Sequence, residues 1–528
     1  MSRARVALLV GLGAVLLFLA YPPFRLPVAS FVALAPAVLL LRAADTPRRA
    51  FRWGWWYGFT AQGLVLYWLV VALWHFTALS ALGYLVTIVL LGVFTGWMFW
   101  LVVRVRERAP AVPLWLTLAV LLTTLEWAVG HAGDVAFPWL GIGTSLTDAP
   151  VLVQWADVAG ARGVGFWLIV CNVLLVEAAL AARGRVRAAA WRVAAVLGTV
   201  ALAWAYGAHR MRTLPLRPAG VVGLIQPNIG FNEKWDPVEA DRELDLLLRL
   251  SARARALGRP DLIAWPEAAI PGYFEDRPDW DSSLARFARQ GHTPLLVGGL
   301  YATPAAGGDF DIYNAAFYVD STGAWRPYPV YEKRYLVPVV ERTPFVPVRW
   351  FRAIPGIRNW SGRFRPGTTL PLYPTPVGRA GVIVCYESAF EDLARRYRAE
   401  GADVLFNITN DAWYGRTTAP YQHAAHLVMR AIETRMGIAR AANDGVSEFV
   451  DPLGRVSDPT VLGTQGVVVG RLVTSDVVPL YVRWGDWVGT GAAIATLGLL
   501  VVAVRGRTGA GGAGAAGAAG AGAPGAPR

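Results

Sequence analysis

Eight apolar runs constrain this chain before any motif does. They fall at about 6–22, 26–42, 55–75, 79–103, 112–130, 163–182, 189–207 and 485–504. Each is close to the ~17–25 residues that a helix needs to cross a bilayer. Seven precede residue 210 and one lies near the end, so the 277 residues at 208–484 form a separate, less apolar block. The division expected is a seven-span domain at 1–207, a globular domain at 208–484, an eighth span at 485–505 and a disordered Gly/Ala/Pro tail at 506–528. The first run follows Arg3 and Arg5 as a signal peptide would. However, Phe18 occupies the place where cleavage after Ala20 would want a small residue, so a retained anchor is expected.

Arginines orient the spans. Arg42, Arg48, Arg49 and Arg52 follow the second run, Arg104, Arg106 and Arg108 the fourth, and Arg183, Arg185, Arg187 and Arg192 the sixth. Arg505 and Arg507 follow the eighth, while the alternate loops carry little basic charge. This pattern puts both termini in the cytoplasm and residues 208–484 in the periplasm. The net charge of +13 is therefore read as a topology signal with attraction to anionic head groups, and not as a nucleic-acid surface.

Inside 208–484, short β-branched runs alternate with amphipathic stretches, the pattern of a layered α/β domain. Strands are expected at 221–226, 262–267, 294–300, 312–319, 328–333, 381–384 and 404–408. Helices are expected at 237–257, 388–400 and about 418–440. Two strands run straight into reactive groups. Leu262-Ile263-Ala264-Trp265-Pro266 leads to Glu267, and Gly381-Val382-Ile383-Val384 leads to Cys385. Open α/β sheets place their chemistry at such strand ends. The chain has two cysteines, so Cys385 is not part of a disulfide framework; by itself it reads equally as packing and as a nucleophile. Cys171, within a span, reads as packing.

Lys333 shifts that balance. Only Lys234 and Lys333 are lysines among 50 basic residues. A compact ammonium with three donors is not replaced by a planar guanidinium. Beside a cysteine it lowers the thiol's pKa and stabilises an oxyanion. A thiol, a carboxylate base and an ammonium together make a set for acyl transfer. His423 and His426 stand at i, i+3, but no third ligand has metal-site spacing, so neither a metal nor another cofactor is expected.

Trp265-Pro266-Glu267, Lys333 with Leu336-Val337-Pro338, and Cys385-Tyr386-Glu387 resemble the Glu-Lys-Cys motifs of the nitrilase superfamily. Tyr313-Asn314, Asn410-Asp411-Ala412-Trp413-Tyr414-Gly415 and Asn443-Asp444-Gly445-Val446 add to the likeness. With seven spans before and one after, and with Glu126-Trp127 and Phe137-Pro138-Trp139 in the membrane part, the chain is similar over about residues 1–505 to the apolipoprotein N-acyltransferases. The resemblance implies an αββα sandwich fused to an eight-helix membrane domain. It also implies a ping-pong reaction that moves an acyl chain from a phospholipid, typically phosphatidylethanolamine, through a Cys385 thioester. The acceptor implied is the α-amine of a diacylglyceryl-cysteine apolipoprotein. Glu267, Lys333 and Cys385 would be catalytic, with Glu341, Tyr386, Glu387 and Asn314 supporting. The sequence departs from the family pattern at Arg334-Tyr335, where a histidine often follows the lysine, and at Val339-Val340, where Phe-Gly is usual.

Substrate contacts are expected at Trp235, Trp139, Tyr273, Phe274 and Trp350. The last lies in a stretch at 344–360 that interleaves Phe345, Trp350, Phe351 and Trp360 with arginines, as head-group segments do. Two other readings stay open on residues alone: a membrane-tethered amidase in which water resolves the thioester, and a transporter or receptor whose outer domain only binds. The second is disfavoured because spans one to seven carry almost no charge beyond Glu126 and Glu177.

Overall fold

The computed structural model describes residues 1–74, 80–230, 233–235, 238–270, 272–273, 276–305, 309–343 and 364–504. The tail expected at 506–528 and the aromatic stretch at 344–360 lie outside the described residues. So do Phe274, Trp350 and the side chain of Trp235.

Every apolar run forms helix, but not always one continuous helix. Among the described residues, five helices are long and apolar enough to cross a membrane: Arg3–Ala20, Ser80–Arg108, Ala156–Ala181, Val186–Thr213 and Trp487–Val504. The run at 55–75 is a sixth only if Pro47–Val65 and Trp68–Trp74, bent by 60°, are counted together. The run at 26–42 is split into Pro27–Ser30 and Ala35–Ala43, with Pro36 in the first turn of the second piece. Proline is tolerated there because it lacks only a donor that a first turn leaves unpaired. The run at 112–130 gives the shorter helix Leu114–Gly130.

Among the described residues, twelve strands follow the helical part and build two six-stranded mixed sheets. The first sheet holds β1 (Arg217–Gln226), β2 (Leu262–Ala264), β3 (Leu295–Pro304), β4 (Phe310–Val319), β5 (Tyr331–Glu332) and β12 (Gly466–Thr474), in the order β12-β1-β2-β3-β4-β5. The second holds β6 (Tyr373–Thr375), β7 (Gly378–Val384), β8 (Val404–Thr409), β9 (Gly437–Ala442), β10 (Glu448–Val450) and β11 (Val456–Ser457), in the order β11-β10-β9-β8-β7-β6. Neighbours β1, β2 and β3 are parallel, as are β7, β8 and β9.

The two-residue period of a strand sorts the core. Val222, Leu224, Leu262, Ala264 and Leu296 join Val382, Val384 and Phe406 between the sheets. Their neighbours Ile225, Ile263 and Val297 face the other way, onto Leu244, Leu247 and Leu284 of helices Ala240–Gly258 and Pro278–Gly291. The helices Glu391–Ala399 and Ala419–Thr434 belong to the other half. The result is the layered α/β architecture that the sequence implied.

One expected helix is corrected. The stretch at 418–440 is helical only from Ala419 to Thr434. Arg435 turns left-handed at φ 55° and the chain re-enters as β9. The Arg435 guanidinium, fully buried, reaches Gln154 Oε1 at 2.7 Å and Asp157 Oδ2 at 2.7 Å. These long-range contacts outweigh the helical preference of a local stretch.

Candidate active site

β7 and β8 are parallel and in register to their last residues, with Val384 opposite Ile408. Cys385 and Asn410 therefore leave the second sheet at the same end of their strands. Cys385 stands at φ 53°, a left-handed conformation that costs a non-glycine residue about 1–3 kcal/mol. It opens the short 3-10 turn Cys385–Ala389. Strain of this kind marks a side chain held out from a sheet edge.

Glu267 arrives from the facing sheet. It follows β2 by three residues, and the backbone there passes so close to β3 that a Cβ on Gly298 would lie 2.2 Å from the Pro266 carbonyl oxygen. Only glycine permits that approach. Lys333 directly follows β5, with its N–H donating to the Asn314 carbonyl of β4 at 2.8 Å.

The side chains of Lys333, Glu267, Glu341 and Asn314 meet. Lys333 Nζ donates to Glu267 Oε1 at 3.1 Å and to Glu341 Oε1 at 2.9 Å. Asn314 Nδ2 bridges the same two oxygens at 2.7 and 3.1 Å. The second oxygen of Glu267 accepts the Asn410 N–H at 2.9 Å, and that of Glu341 accepts the Val337 N–H at 2.8 Å. Cys385, Glu267 and Lys333 are 4, 5 and 1% exposed. One buried cation thus sits between two carboxylates, and both it and Glu267 act on the thiol.

The electrostatics follow. Burial would strip Lys333 of its proton, but Glu267 and Glu341 outweigh that and hold its pKa well above the ordinary lysine range. Burial pushes the Cys385 thiol up; Glu267 adds to the rise and Lys333 opposes it. The lysine effect expected from sequence has the right sign but is outweighed. Cys385 is a neutral thiol at rest, so its proton must leave as it attacks.

Glu387 ties the two sheets together behind this group. Its Oε1 accepts the N–H groups of Arg334 and Tyr335 at 2.7 and 3.1 Å. Its Oε2 accepts Tyr331 Oη at 2.7 Å and the Val384 N–H at 2.6 Å. Burial lifts its pKa to about 7 against the pull of the Val384 and Tyr331 donors.

The membrane part supplies a wall of the site. Tyr386 Oη donates to the Ala136 carbonyl at 2.6 Å. Its ring stacks near Phe137 and Trp139, with centroids at 6.0 and 6.3 Å. Trp139 is buried, and its Nε1 donates to Gln422 at 2.9 Å. Phe137 also lines a cavity of about 140 Å³ together with Leu17, Leu91, Phe99, Leu122 and Ala389, with Glu126, Arg162, Glu391 and Arg430 as its charged lining. Tyr273 pairs with Leu300 through an isolated bridge.

Sequence reasoning missed one buried group. Asp411, His423 and Arg440 are fully buried and joined by hydrogen bonds behind Cys385. The available signal was a polar i, i+3 pair on an otherwise apolar helix, which was weighed only as a metal site. Among the described residues no cluster of histidine, cysteine and carboxylate side chains has metal-binding geometry.

Two facing mixed sheets with a carboxylate, an ammonium and a thiol at their edge define a domain of the carbon–nitrogen hydrolase class, and residues 221–480 match the family model described as carbon-nitrogen hydrolase. Residues 13–174 match the model described as apolipoprotein N-acyltransferase N-terminal domain. The chain is 33% identical to an apolipoprotein N-acyltransferase of Geobacter metallireducens over 491 residues, covering 91% of each. It is 31% identical to one of Chlorobaculum tepidum over 526 residues, covering 95% of this chain and 96% of the relative. An amidase from Nesterenkonia sp. AN1 is a similar solved structure, at 22% identity and TM-score 0.37, covering 51% of this chain and 95% of the amidase. The chain belongs to the apolipoprotein N-acyltransferase family, a membrane-embedded branch of the nitrilase superfamily.

Proposed function

We propose that this protein is a membrane acyltransferase that N-acylates lipoproteins through a thioester on Cys385. The observation that carries the reading is the shared cation: Lys333 sits between Glu267 and Glu341, and its charge and that of Glu267 both act on a buried neutral thiol. In the first half-reaction Cys385 Sγ attacks the acyl carbonyl of a phospholipid, with phosphatidylethanolamine the expected donor. Glu267 takes the thiol proton as the C–S bond forms. Lys333 and a backbone N–H hold the tetrahedral oxyanion. The oxyanion collapses, the ester C–O bond breaks, and Glu267 returns the proton to the departing lysophospholipid oxygen.

In the second half-reaction the α-amine of a diacylglyceryl-cysteine lipoprotein attacks the thioester. Glu267 accepts the amine proton, the C–S bond breaks and the thiol is restored. Glu341 and Asn314 fix Glu267 and Lys333 relative to one another. Glu387 sets the spacing of the Lys333 and Cys385 segments.

The largely apolar cavity beside Ala389 suits the acyl chain, and Phe137, which lines it and stacks near Tyr386, links it to the catalytic turn. Trp235, Tyr273, Phe274 and Trp350 are proposed to contact the substrates. The proposed division at 1–207, 208–484 and 485–505 rests on the apolar runs, and the proposed periplasmic location of the catalytic domain rests on the arginine pattern.

The test is incubation of the purified protein with phospholipid labelled in its acyl chain and a diacylated lipopeptide bearing a free α-amine. The expected product is N-acylated lipopeptide with wild type and none with Cys385→Ala. Release of labelled fatty acid with no N-acyl product would instead support a membrane-tethered amidase or esterase.

A further inference from the structure

His423 lies in the Ala419–Thr434 helix with its ring fully buried. Nε2 is 2.9 Å from the Cys385 carbonyl oxygen. A carbonyl only accepts, so Nε2 carries the proton. Nδ1 lies 2.9 Å from Asp411 Oδ1 and 3.2 Å from Arg440 Nη2.

The groups that hold the ring are themselves held. Asp411 Oδ2 accepts from Arg440 Nη2 at 2.7 Å, and Oδ1 accepts from Thr409 Oγ1 at 3.1 Å. Arg440 also donates Nε to the Val446 carbonyl at 3.0 Å and Nη1 to Asn407 Oδ1. A Cβ on Gly445 would stand 2.1 Å from Asp411 Oδ2, so the loop closes on the carboxylate only with glycine there. Burial alone would raise the pKa of Asp411; Arg440 and His423 outweigh it and bring it to about 2. The carboxylate is charged at any working pH. All of this rigid, fully buried structure ends on one backbone atom, the oxygen of Cys385.

That atom decides a direction. In a trans peptide the carbonyl and the following N–H point opposite ways. Pinning the Cys385 oxygen toward His423 aims the Tyr386 N–H away from it. Tyr386 is the second residue of the 3-10 turn, where N–H groups lack partners within the turn. Cys385 is also the residue in the strained left-handed conformation, so the peptide needs an outside group to stay in place. Asn407 Nδ2, at 3.5 Å, is a weak second donor to the same oxygen.

We infer that His423, clamped by Asp411 and Arg440, is a positioning residue that holds the Cys385–Tyr386 peptide so that the Tyr386 N–H is fixed as the second oxyanion donor beside Lys333. The inference rests on the thioester reading above. It assigns to His423 an effect on acyl transfer that is separate from the reactivity of the thiol.

The experiment uses the full-length protein in detergent and two substitutions. Gln in His423→Gln carries its amide nitrogen where Nε2 stands and keeps the donor to the Cys385 carbonyl. Asn in His423→Asn reaches Asp411 but not the carbonyl. Two rates are read at Cys385: acylation by labelled phospholipid, and alkylation by iodoacetamide, a displacement at a saturated carbon that forms no oxyanion. Losing one oxyanion donor costs about 10²–10³-fold, so acylation by His423→Asn should fall about 100-fold. Its alkylation should stay within about threefold of wild type, which also shows that the variant is folded. His423→Gln should recover at least about a tenfold share of the lost acylation rate. Acylation by His423→Asn within threefold of wild type would overturn the inference, as would acylation and alkylation falling in parallel in both variants. A wild-type protein that is alkylated but never acylated at Cys385 would remove the thioester reading itself.

Discussion

Lys333 lies between Glu267 and Glu341, and Arg162 lies between Glu391 and Asp486, so each is a buried cation against two carboxylates. Their neighbours differ. Arg162 joins a membrane helix to the segment after the catalytic turn and to the start of the last helix, at 2.6 Å from Glu391. Close by, Glu433 accepts the Ala161 N–H at 2.6 Å and pairs with Arg430 at 3.0 Å. Charges here fasten two parts of the chain and meet no nucleophile. At Lys333 the cation and one of its carboxylates, Glu267, both act on a thiol. Arginine suits the first role because its planar fork reaches several elements at once, and a compact ammonium suits the second. Burial and charge alone do not mark a catalytic group; a reactive atom within their reach does.

The comparison breaks most sharply at the cations. Lys333→Arg and Lys333→Met should each lower Cys385 acylation by about 10³-fold or more, since both remove the ammonium that faces the oxyanion. Single-turnover labelling measures this, and a Lys333→Arg protein with a tenth of wild-type rate would erase the distinction between the two clusters.

Glu387→Gln should come next, with kcat down about 10–100-fold and the KM for lipid little changed, because an amide cannot accept all four donors that the carboxylate accepts. Steady-state kinetics separate the two constants. A raised KM alone would place Glu387 on substrate binding.

Arg162→Ala should act on the other column. It leaves Glu391 and Asp486 buried without their cation, a loss of about 3–5 kcal/mol for a broken buried pair. Thermal unfolding should show the loss, while the rate per alkylatable Cys385 stays within a few-fold of wild type. Lost rate without lost stability would mean that Arg162 belongs to the chemistry.

The smallest effect is a pH dependence. The pKa of Asp411 is lowered to about 2, so its stabilisation is present above the ordinary carboxylate pKa near 4 and is lost as pH falls through 2. The shift corresponds to about 2 kcal/mol. Asp411→Asn should remove that part of the acid-side slope in unfolding experiments, and an unchanged slope would show that the carboxylate is not held in this way.

Much of the site was legible because it lies at strand ends. Short apolar strands running into Glu267 and Cys385 can be read locally, and the rarity of lysine singled out Lys333. Glu341 and Asn314 came only with the family resemblance, because a loop and a strand meet there through tertiary contacts. The roles of His423 and Arg440 were not legible: their partners, Cys385 and Asp411, lie 38 and 29 residues away. The end of the helix at Thr434 was missed for a similar reason, since the groups that hold Arg435 come from the membrane part. Hydropathy found all the apolar runs but not the break near 31–34 or the bend after Val65, which a window average smooths over.

The central claim, that Cys385 carries the acyl chain between two substrates, is tested most directly by intact-mass measurement in a single turnover. Protein mixed with labelled phospholipid and no acceptor should gain the mass of one acyl chain at Cys385, and adding a lipopeptide amine should discharge it into N-acylated product at the rate of overall turnover. N-acylated product formed with no acyl-protein on the path, or an adduct that the amine fails to discharge, would contradict the account.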